Sequence, residues 1–475
     1  MDQIKNLSLL SAMCENVNSA ITVTNPATGH VLGYVPSHSR ETIENVIAKA
    51  EIAQRSWAKT TAKQRADILM SWYQLLMDNQ EDLARIMTLE QGKPLAESRG
   101  EVAYGASFVQ WFAEEAKRAY GETIPTPSSD RRIMTITQPV GVAAAITPWN
   151  FPIAMITRKA APAIAAGCSF IAKPAAQTPL SAYAVTELAR QAGLPEGLLN
   201  IVTSDDAVMV GELFCSSDKI NKISFTGSTN VGRILMRQSA ESVKRVSMEL
   251  GGNAPFIVFD DADIDLAVKG AIASKFRNAG QTCVCANRFY VHDAVYDKFV
   301  EKFAAEVATL TVGNGIDNGV NVGPLIDANA KNKVQRLVEE AVAQGATISI
   351  GGEDLDGQFF TPTVLTHVQH SMSIVQEEIF GPIAPVIRFH DDASLIEMAN
   401  DTIYGLASYF YSKDINRIFA VAEALDYGMV GVNEGVISTE VAPFGGVKQS
   451  GIGREGARQG LDEYLNTKYI CLGGM

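Results

Sequence analysis

The sequence predicts an α/β protein built on parallel sheets, and three observations carry that expectation. From Val140 onward, short apolar runs alternate with amphipathic ones, as repeated strand–helix–strand units do. The runs at 142–147 and 169–173 are nearly continuous in apolar residues, as strands covered on both faces are. At 475 residues, the chain exceeds what one hydrophobic core supports, so two or three domains are expected.

Taken in order, Asn25-Pro26-Ala27-Thr28-Gly29 is a turn cluster between short β-like runs. A helical pattern runs from 41 to 95, with breaks near 59–61 and at Pro94, and predicts an N-terminal helical layer. Residues 121–138 begin as turn-formers and then alternate along 132–137 like an exposed strand pair, a ribbon able to pair with another subunit. The first α/β series has strands at 142–147, 169–173, 199–203 and 222–226 and helices at 181–192 and 230–239. The run 160–172 is too short and too interrupted by Pro162, Gly167 and Ser169 to span a bilayer, and is expected to be buried interior.

A second series follows, with strands at 256–259 and 287–291, helices at 263–276, 294–310 and 331–344, and strands near Ile348 and Val364. The segment 377–382 reads as a stiff loop, 443–451 as too glycine-rich for a regular element, and 463–471 as a closing strand.

Composition bounds the function. Hydrophobic residues at 47% and charged residues at 20% are ordinary for a soluble globular protein. A formal charge of −13 argues against nucleic acid and against an anionic membrane as partner. The six cysteines are scattered, no signal peptide is apparent, and 1–18 lacks the arginines of a transit peptide, so reduced thiols and a cytoplasmic location are expected. No His/Cys/Asp cluster has ligand spacing, so no metal is expected.

Several residues could carry chemistry. Cys283 lies in the polar segment Gly280-Gln281-Thr282-Cys283 between a helix and a strand, where a thiol can face a cleft. Taken alone, such a cysteine is more often a small packing residue. Glu249, just ahead of Leu250-Gly251-Gly252, could act as a general base on water if partly buried. The alternative is an exposed turn glutamate. Asn150, held between Pro148-Trp149 and Phe151-Pro152, could donate to a developing oxyanion, a role worth about 3 kcal/mol when preorganised. A turn asparagine bonded to its own backbone is the alternative. Phe225-Thr226-Gly227-Ser228 runs from strand into helix, so amides there could face a phosphate, although its spacing is not that of the usual dinucleotide motif. Lys173-Pro174, leaving a buried strand, could reach a ribose or phosphate; a solvated surface lysine is the alternative.

Together these motifs, with Glu378-Ile379-Phe380-Gly381-Pro382 and Pro443-Phe444-Gly445-Gly446, resemble the aldehyde dehydrogenase family in identity and order, over about residues 22–473. Within that family, the segment 276–285 and Gly453-Arg454-Glu455-Gly456 resemble bacterial succinate-semialdehyde dehydrogenases. The resemblance implies a Rossmann-type cofactor domain (1–120 and 139–248), an α/β catalytic domain (249–438), a β oligomerisation arm (121–138 and 462–475) and a linking segment near the active site (439–461). It implies NAD(P)-dependent oxidation of succinate semialdehyde to succinate in GABA degradation, by a homo-oligomer of two or four subunits.

In the implied mechanism Cys283 attacks the aldehyde carbon, Asn150 and the Cys283 amide hold the oxyanion, and Glu249 activates the water that hydrolyses the thioester. Trp149, Lys173, Ala176, Thr226, Gly227, Ser228, Gly232, Leu250, Glu378 and Phe380 would bind the cofactor. Arg158 and Arg277, with Ser438 as helper hydroxyl, would hold a substrate carboxylate, a task suited to the guanidinium fork. Glutarate semialdehyde stays open, since one methylene is worth only about 1–3 kcal/mol in a pocket. At Ala176 relatives preferring NAD often carry a glutamate; its absence beside Lys173 favours NADP, with NAD also open. Cys285 is either a packing residue or the partner of Cys283 in a reversible disulfide. The rival classes are a cysteine hydrolase, for which none of the six histidines lies in a supporting motif, and a silent structural member of the fold.

Overall fold

The structure is a computed structural model and describes residues 1, 3–15 and 20–474. Asp2, residues 16–19 and Met475, which the sequence reading assigned to its first segment and to its arm, lie outside the described residues.

The first sheet has six strands in the order Gly451–Ile452, Arg245–Glu249, Ile220–Thr226, Val142–Ile146, Ser169–Lys173 and Leu199–Ile201. All pairs are parallel except the one made by Gly451–Ile452. The side-chain period of two divides the strands Val142–Ile146 and Ser169–Lys173 between two cores. Ala143, Ala145, Phe170 and Ala172 enter one core, whereas Val142, Ala144 and Ile171 enter the other. Helices cover both faces, which explains why these strands read as unbroken apolar runs.

Chain order reverses in the middle of this sheet. From Val142–Ile146 the chain builds outward through Ser169–Lys173 and Leu199–Ile201, then returns to place Ile220–Thr226 on the opposite side of the first strand. The carboxyl ends of Val142–Ile146 and Ile220–Thr226 therefore flank a crevice, the place where open α/β sheets bind ligands.

A second sheet of seven strands has the order Thr347–Ile350, Thr363–Thr366, Ile383–Phe389, Ala286–His292, Ala254–Val258, Ala407–Tyr411 and Met429–Val432, parallel except for the first pair. Its core is the aromatic cluster of Phe256, Phe289 and Phe303 with Tyr409 and Tyr411. The strands at 383–389, 407–411 and 429–432 and the helices Asp392–Asn400 and Ile415–Ala424 complete a series that sequence patterning left unassigned beyond residue 382.

The N-terminal layer is four helices: Arg40–Trp57, Ala62–Asp78, Gln80–Gln91 and Leu95–Glu115. The expected break at 59–61 is a capping box of Thr61 and Gln64, and the break before Pro94 follows Gly92 in the left-handed region. A further break at Asn79 has neither proline nor glycine, so composition gave no sign of it. The run 160–172 is interior, as expected, but as two elements: the wholly buried helix Ala154–Ala166 and the strand Ser169–Lys173.

The ribbon at 131–139 differs from the expected strand pair. Arg131–Pro139 is one long strand whose main partner is the terminal strand Leu465–Gly473, in an unbroken antiparallel ladder from Leu465 opposite Pro139 to Gly473 opposite Arg131. Thr123–Ile124 adds only a short third strand. Local alternation revealed the extended conformation, but the partner lies more than 300 residues away in sequence and could not be read locally.

Candidate active site

Cys283 sits at the end of a backbone path that few sequences tolerate. Helix Ile264–Phe276 stops, and Asn278, Ala279 and Gly280 then all adopt left-handed conformations, with φ of 51°, 54° and +73°. Asparagine enters this region more readily than most residues, and alanine there costs about 1–2 kcal/mol. Gly280 is required on space alone, since a Cβ would lie 2.2 Å from the Gly381 carbonyl oxygen. The buried Gln281 side chain holds the path: its Nε2 donates to the Asn278 carbonyl at 3.1 Å, and its Oε1 accepts from the Ile326 N–H at 2.9 Å. Gly252 lets the neighbouring strand end approach, because a Cβ there would stand 2.3 Å from the Cys283 carbonyl oxygen.

Two cavities open on this loop. One, of about 290 Å³, lies at the reversal point of the first sheet and is lined by Pro148, Trp149, Asn150, Thr226, Gly227, Ser228, Leu250, Gly251, Ala330, Lys333, Glu378 and Phe380. The other, of about 280 Å³, is lined by Lys93, Glu97, Gly100, Glu101, Tyr104, Phe151, Met155, Arg158, Arg277, Thr282, Val284, Ser438 and Phe444. Cys283, partly buried, is the one residue that lines both. No histidine lines either cavity, so the imidazole that a thiol hydrolase needs is missing from this site.

Asn150 follows the strand Val142–Ile146 and is 3% exposed. Its Nδ2 donates one hydrogen to the Gln281 carbonyl at 3.1 Å and has no second acceptor among the described residues, its Oδ1 has no partner, and the residue lines the first cavity. Glu249 ends the strand Arg245–Glu249, is 3% exposed, and neither carboxylate oxygen is hydrogen-bonded. Burial, then the charge of Glu455, holds its pKa well above the carboxylate range, against the pull of Arg158 and Lys159. Its side chain is not part of either cavity lining, although Leu250 and Gly251 beside it are. Burial likewise pushes the Cys283 thiol up to about 12, opposed by Arg158 and Arg277.

In the second cavity Arg158 is buried on helix Ala154–Ala166 and lies over the Phe444 ring at 4.6 Å. It forms an ion pair with Glu455, which also pairs with Lys159, while its Nη2 has no partner. Arg277 is partly exposed over the Phe151 ring at 5.4 Å, its Nε unpaired. No ion pair reaches Arg277 among the described residues.

In the first cavity Glu378 accepts the Gly252 N–H at 3.0 Å, Lys333 donates to the Glu378 carbonyl, and Phe380 meets Trp149 edge-on at 5.7 Å. Ser228 caps helix Thr229–Ala240, so the free amides of that helix start at the cavity wall. The phosphate-facing turn, the indole and phenyl walls and the carboxylate fit a dinucleotide with a flat ring system. Three residues expected in this set line neither cavity. Lys173 is buried and donates to the Pro174 carbonyl at 3.1 Å, Ala176 packs against the helical layer, and Gly232 makes room for Leu250, whose Cδ2 a Cβ would meet at 2.5 Å. Cys285 is buried with its Sγ against the Lys275 and Ala286 carbonyls, and both it and Cys283 are free thiols.

Lys333, Glu97, Tyr104 and Met155 were not foreseen as lining residues. They come from helices, that of Met155 wholly buried, whose patterns do not distinguish a face that lines a cavity from one that lines a core. Among the described residues, no group of three or more His, Cys, Asp or Glu side chains could hold a metal ion, and no helix is long and apolar enough to cross a membrane.

Comparison with known proteins agrees with this geometry. Residues 13–470 match the family described as the aldehyde dehydrogenase family. The chain is 58% identical to a glutarate-semialdehyde dehydrogenase of Pseudomonas putida, covering 95% of this chain and 94% of that one. It is 56% identical to a succinate-semialdehyde dehydrogenase (NADP(+)) of Escherichia coli, covering 96% and 95%. The crystal structure of an aldehyde dehydrogenase from Brucella melitensis biovar abortus superposes over the full length of both chains, with a TM-score of 0.98 at 56% identity.

Proposed function

Because the chain belongs to the aldehyde dehydrogenase family, we propose that it oxidises a small aldehyde bearing a carboxylate at its far end, succinate semialdehyde in the first place, to the corresponding acid. The observation that carries this reading is that Cys283 alone lines both cavities, one suited to a dinucleotide and the other bearing guanidinium groups. A nucleophile at that junction can hold an aldehyde carbon between a hydride acceptor and an anion site.

Cys283, its thiol proton lost to solvent, attacks as the thiolate: the sulfur forms a bond to the aldehyde carbon, the carbonyl π bond breaks, and the oxygen becomes an oxyanion. The free hydrogen of the Asn150 amide and the Cys283 backbone N–H stabilise it. A nicotinamide cofactor, when bound, would supply a two-electron hydride acceptor. Loss of hydride leaves a thioester on Cys283. Glu249 takes a proton from water, whose oxygen attacks the thioester carbon and displaces the thiolate; the raised basicity of a buried carboxylate suits this step.

Arg277 and the open Nη2 of Arg158 are assigned to the substrate carboxylate, with Ser438 as a further donor. Glu378, Trp149, Phe380, Thr226, Gly227, Ser228 and Leu250 are assigned to the cofactor. Lys173, Ala176 and Gly232 are assigned to its adenosine end, beyond the cavity described. The absence of a carboxylate at Ala176 supports NADP over NAD, as does the relative named for NADP(+). The relative named for glutarate semialdehyde supports that substrate as the second reading.

The same reading divides the chain into cofactor, catalytic and arm segments at the boundaries given above, and makes the protein a cytoplasmic homo-oligomer, a dimer or tetramer, of GABA degradation. Cys285 serves packing or reversible pairing with Cys283, which mass spectrometry of peroxide-treated protein before and after dithiothreitol decides. The test of function is a steady-state screen of semialdehydes of differing chain length with both cofactors. Succinate semialdehyde with NADP should give the highest kcat/KM; a preference for uncharged aldehydes would overturn the substrate assignment.

A further inference from the structure

Between the third and fourth helices, the segment Gln91-Gly92-Lys93 reaches the nucleophile loop and turns its polar groups towards it. Gln91 is wholly buried; its Nε2 donates to Asn278 Oδ1 at 2.9 Å and its Oε1 accepts the Lys93 N–H at 2.9 Å. Lys93, 1% exposed, pairs with Glu101 and donates from Nζ to the Asn150 carbonyl at 2.7 Å. Asn278 Nδ2 donates to that same carbonyl at 3.1 Å and to the Gln281 carbonyl at 3.2 Å. The Gln281 carbonyl is also the anchor of the Asn150 amide.

One buried amide thus ties the backbone of Asn150 to the acceptor on which the Asn150 side chain rests. An asparagine amide turns about a broad torsion, so the direction of its free hydrogen depends on the bond made by the other one. That bond needs the Gln281 carbonyl and the Asn150 main chain kept in register, and Asn278 contacts both. Its own orientation is fixed in turn, since Gln91 engages Oδ1 and the Asn278 N–H donates to Glu97 Oε2 at 2.8 Å.

We propose that Asn278, held by Gln91 and seconded by Lys93 at the Asn150 carbonyl, is a positioning residue that aims the Asn150 amide at the oxyanion. This rests on the reading of Asn150 as oxyanion donor. Asn278→Asp changes the shape least while removing the donor to both carbonyls. Asn278→Gly keeps access to the left-handed backbone and removes the side chain.

The experiment measures the pre-steady-state burst of reduced cofactor with succinate semialdehyde and NADP, the cofactor Kd, and the same burst in an Asn150→Ala background. Removing an oxyanion donor slows a reaction by about 10²–10³-fold, and a misplaced group costs up to about 10²-fold. Asn150→Ala should therefore lose about 10²-fold or more, and Asn278→Asp and Asn278→Gly about 10-fold or more, with the cofactor Kd unchanged. In the Asn150→Ala background neither Asn278 substitution should slow the burst further, a coupling that a merely structural role would not produce. A parental burst in either Asn278 variant, or an equal loss in both backgrounds, would overturn the positioning role alone. A parental burst in Asn150→Ala would overturn the oxyanion assignment and this inference with it.

Discussion

Some of the charges at the two cavities are held in ion pairs, and one guanidinium that is not matters for specificity. Lys93 is answered by Glu101, and Arg158 and Lys159 share Glu455, whereas Arg277 has no acid partner within ion-pair distance among the described residues. A substrate carboxylate entering the second cavity therefore meets one guanidinium that no ion pair occupies and whose charge acts on the lining acid Glu97. Arg277→Ala is expected to raise KM for succinate semialdehyde at least tenfold, about 1.4 kcal/mol of lost binding, and to change KM for an uncharged aldehyde little. Arg158→Ala should cost more in stability, because it strips Glu455 of a buried partner. Equal losses of Arg277→Ala on both substrates would contradict the assignment. The thiol and the base add a pH dependence with a definite sign. Both Cys283 and Glu249 have raised pKa values, so their reactive deprotonated forms become more populated as pH rises. kcat/KM should climb between about pH 6 and pH 9, and a flat or falling profile measured with saturating cofactor would count against the two groups acting in these forms. Cys283, Glu249 and Asn150 stood out because each lies in a short motif containing glycine or proline; the fold puts Cys283 and Asn150 on a cavity wall and Glu249 next to the lining residues Leu250 and Gly251. Glu455, which sets the charge around both Arg158 and Glu249, was visible only as part of a motif with no assigned task.

Among the elements, helix Ala154–Ala166 shows how a local feature is fixed from a distance. It has no side-chain cap of its own; Glu101, from the preceding long helix, accepts the N–H groups of Ile153 and Ala154 at 3.0 and 3.2 Å. The same carboxylate neutralises Lys93, so one residue supports both the helix carrying Arg158 and the cation bound to the Asn150 carbonyl. Glu101→Ala should lower stability by about 3–5 kcal/mol, the usual cost of leaving a buried charge unpaired, read as a fall in the urea midpoint without change in slope. An unaltered midpoint would show that the pair is not structural. In the first α/β series the strands at 142–146, 169–173, 199–201 and 220–226 and the helices Pro179–Gln191 and Thr229–Ala240 followed from apolar period, whereas the helices Ala154–Ala166 and Ala207–Ser216 did not. The nucleophile loop did not: three successive left-handed residues at 278–280 are imposed by the neighbouring Gln281 and by Gln91 and the close Gly381 carbonyl, the last two from segments far apart in the chain.

At the scale of the whole molecule, the site exists because two sheets with separate cores bring different chemistry to one sulfur. The first sheet contributes the reversal point, with Asn150 and Thr226-Gly227-Ser228 beyond its strand ends; the second contributes the Cys283 loop and Glu378. The helical layer closes the substrate side through Glu97, Glu101 and Tyr104. Sequence patterning found most strands of the first sheet and the ordered motifs, but not the edge strand Gly451–Ile452, the pairing of Arg131–Pro139 with Leu465–Gly473 or the sheet positions beyond residue 382, because strand partners are chosen by the fold and not by local composition. Under the proposed function the assembled molecule carries an acyl group on Cys283 between hydride loss and water attack. Rapid-quench peptide mass spectrometry of Glu249→Gln protein, mixed with succinate semialdehyde and NADP, tests this directly. The account predicts a succinyl increment on the Cys283 peptide, accumulating as reduced cofactor appears. Reduced cofactor formed while Cys283 stays unmodified, or an increment on any other residue, would contradict it.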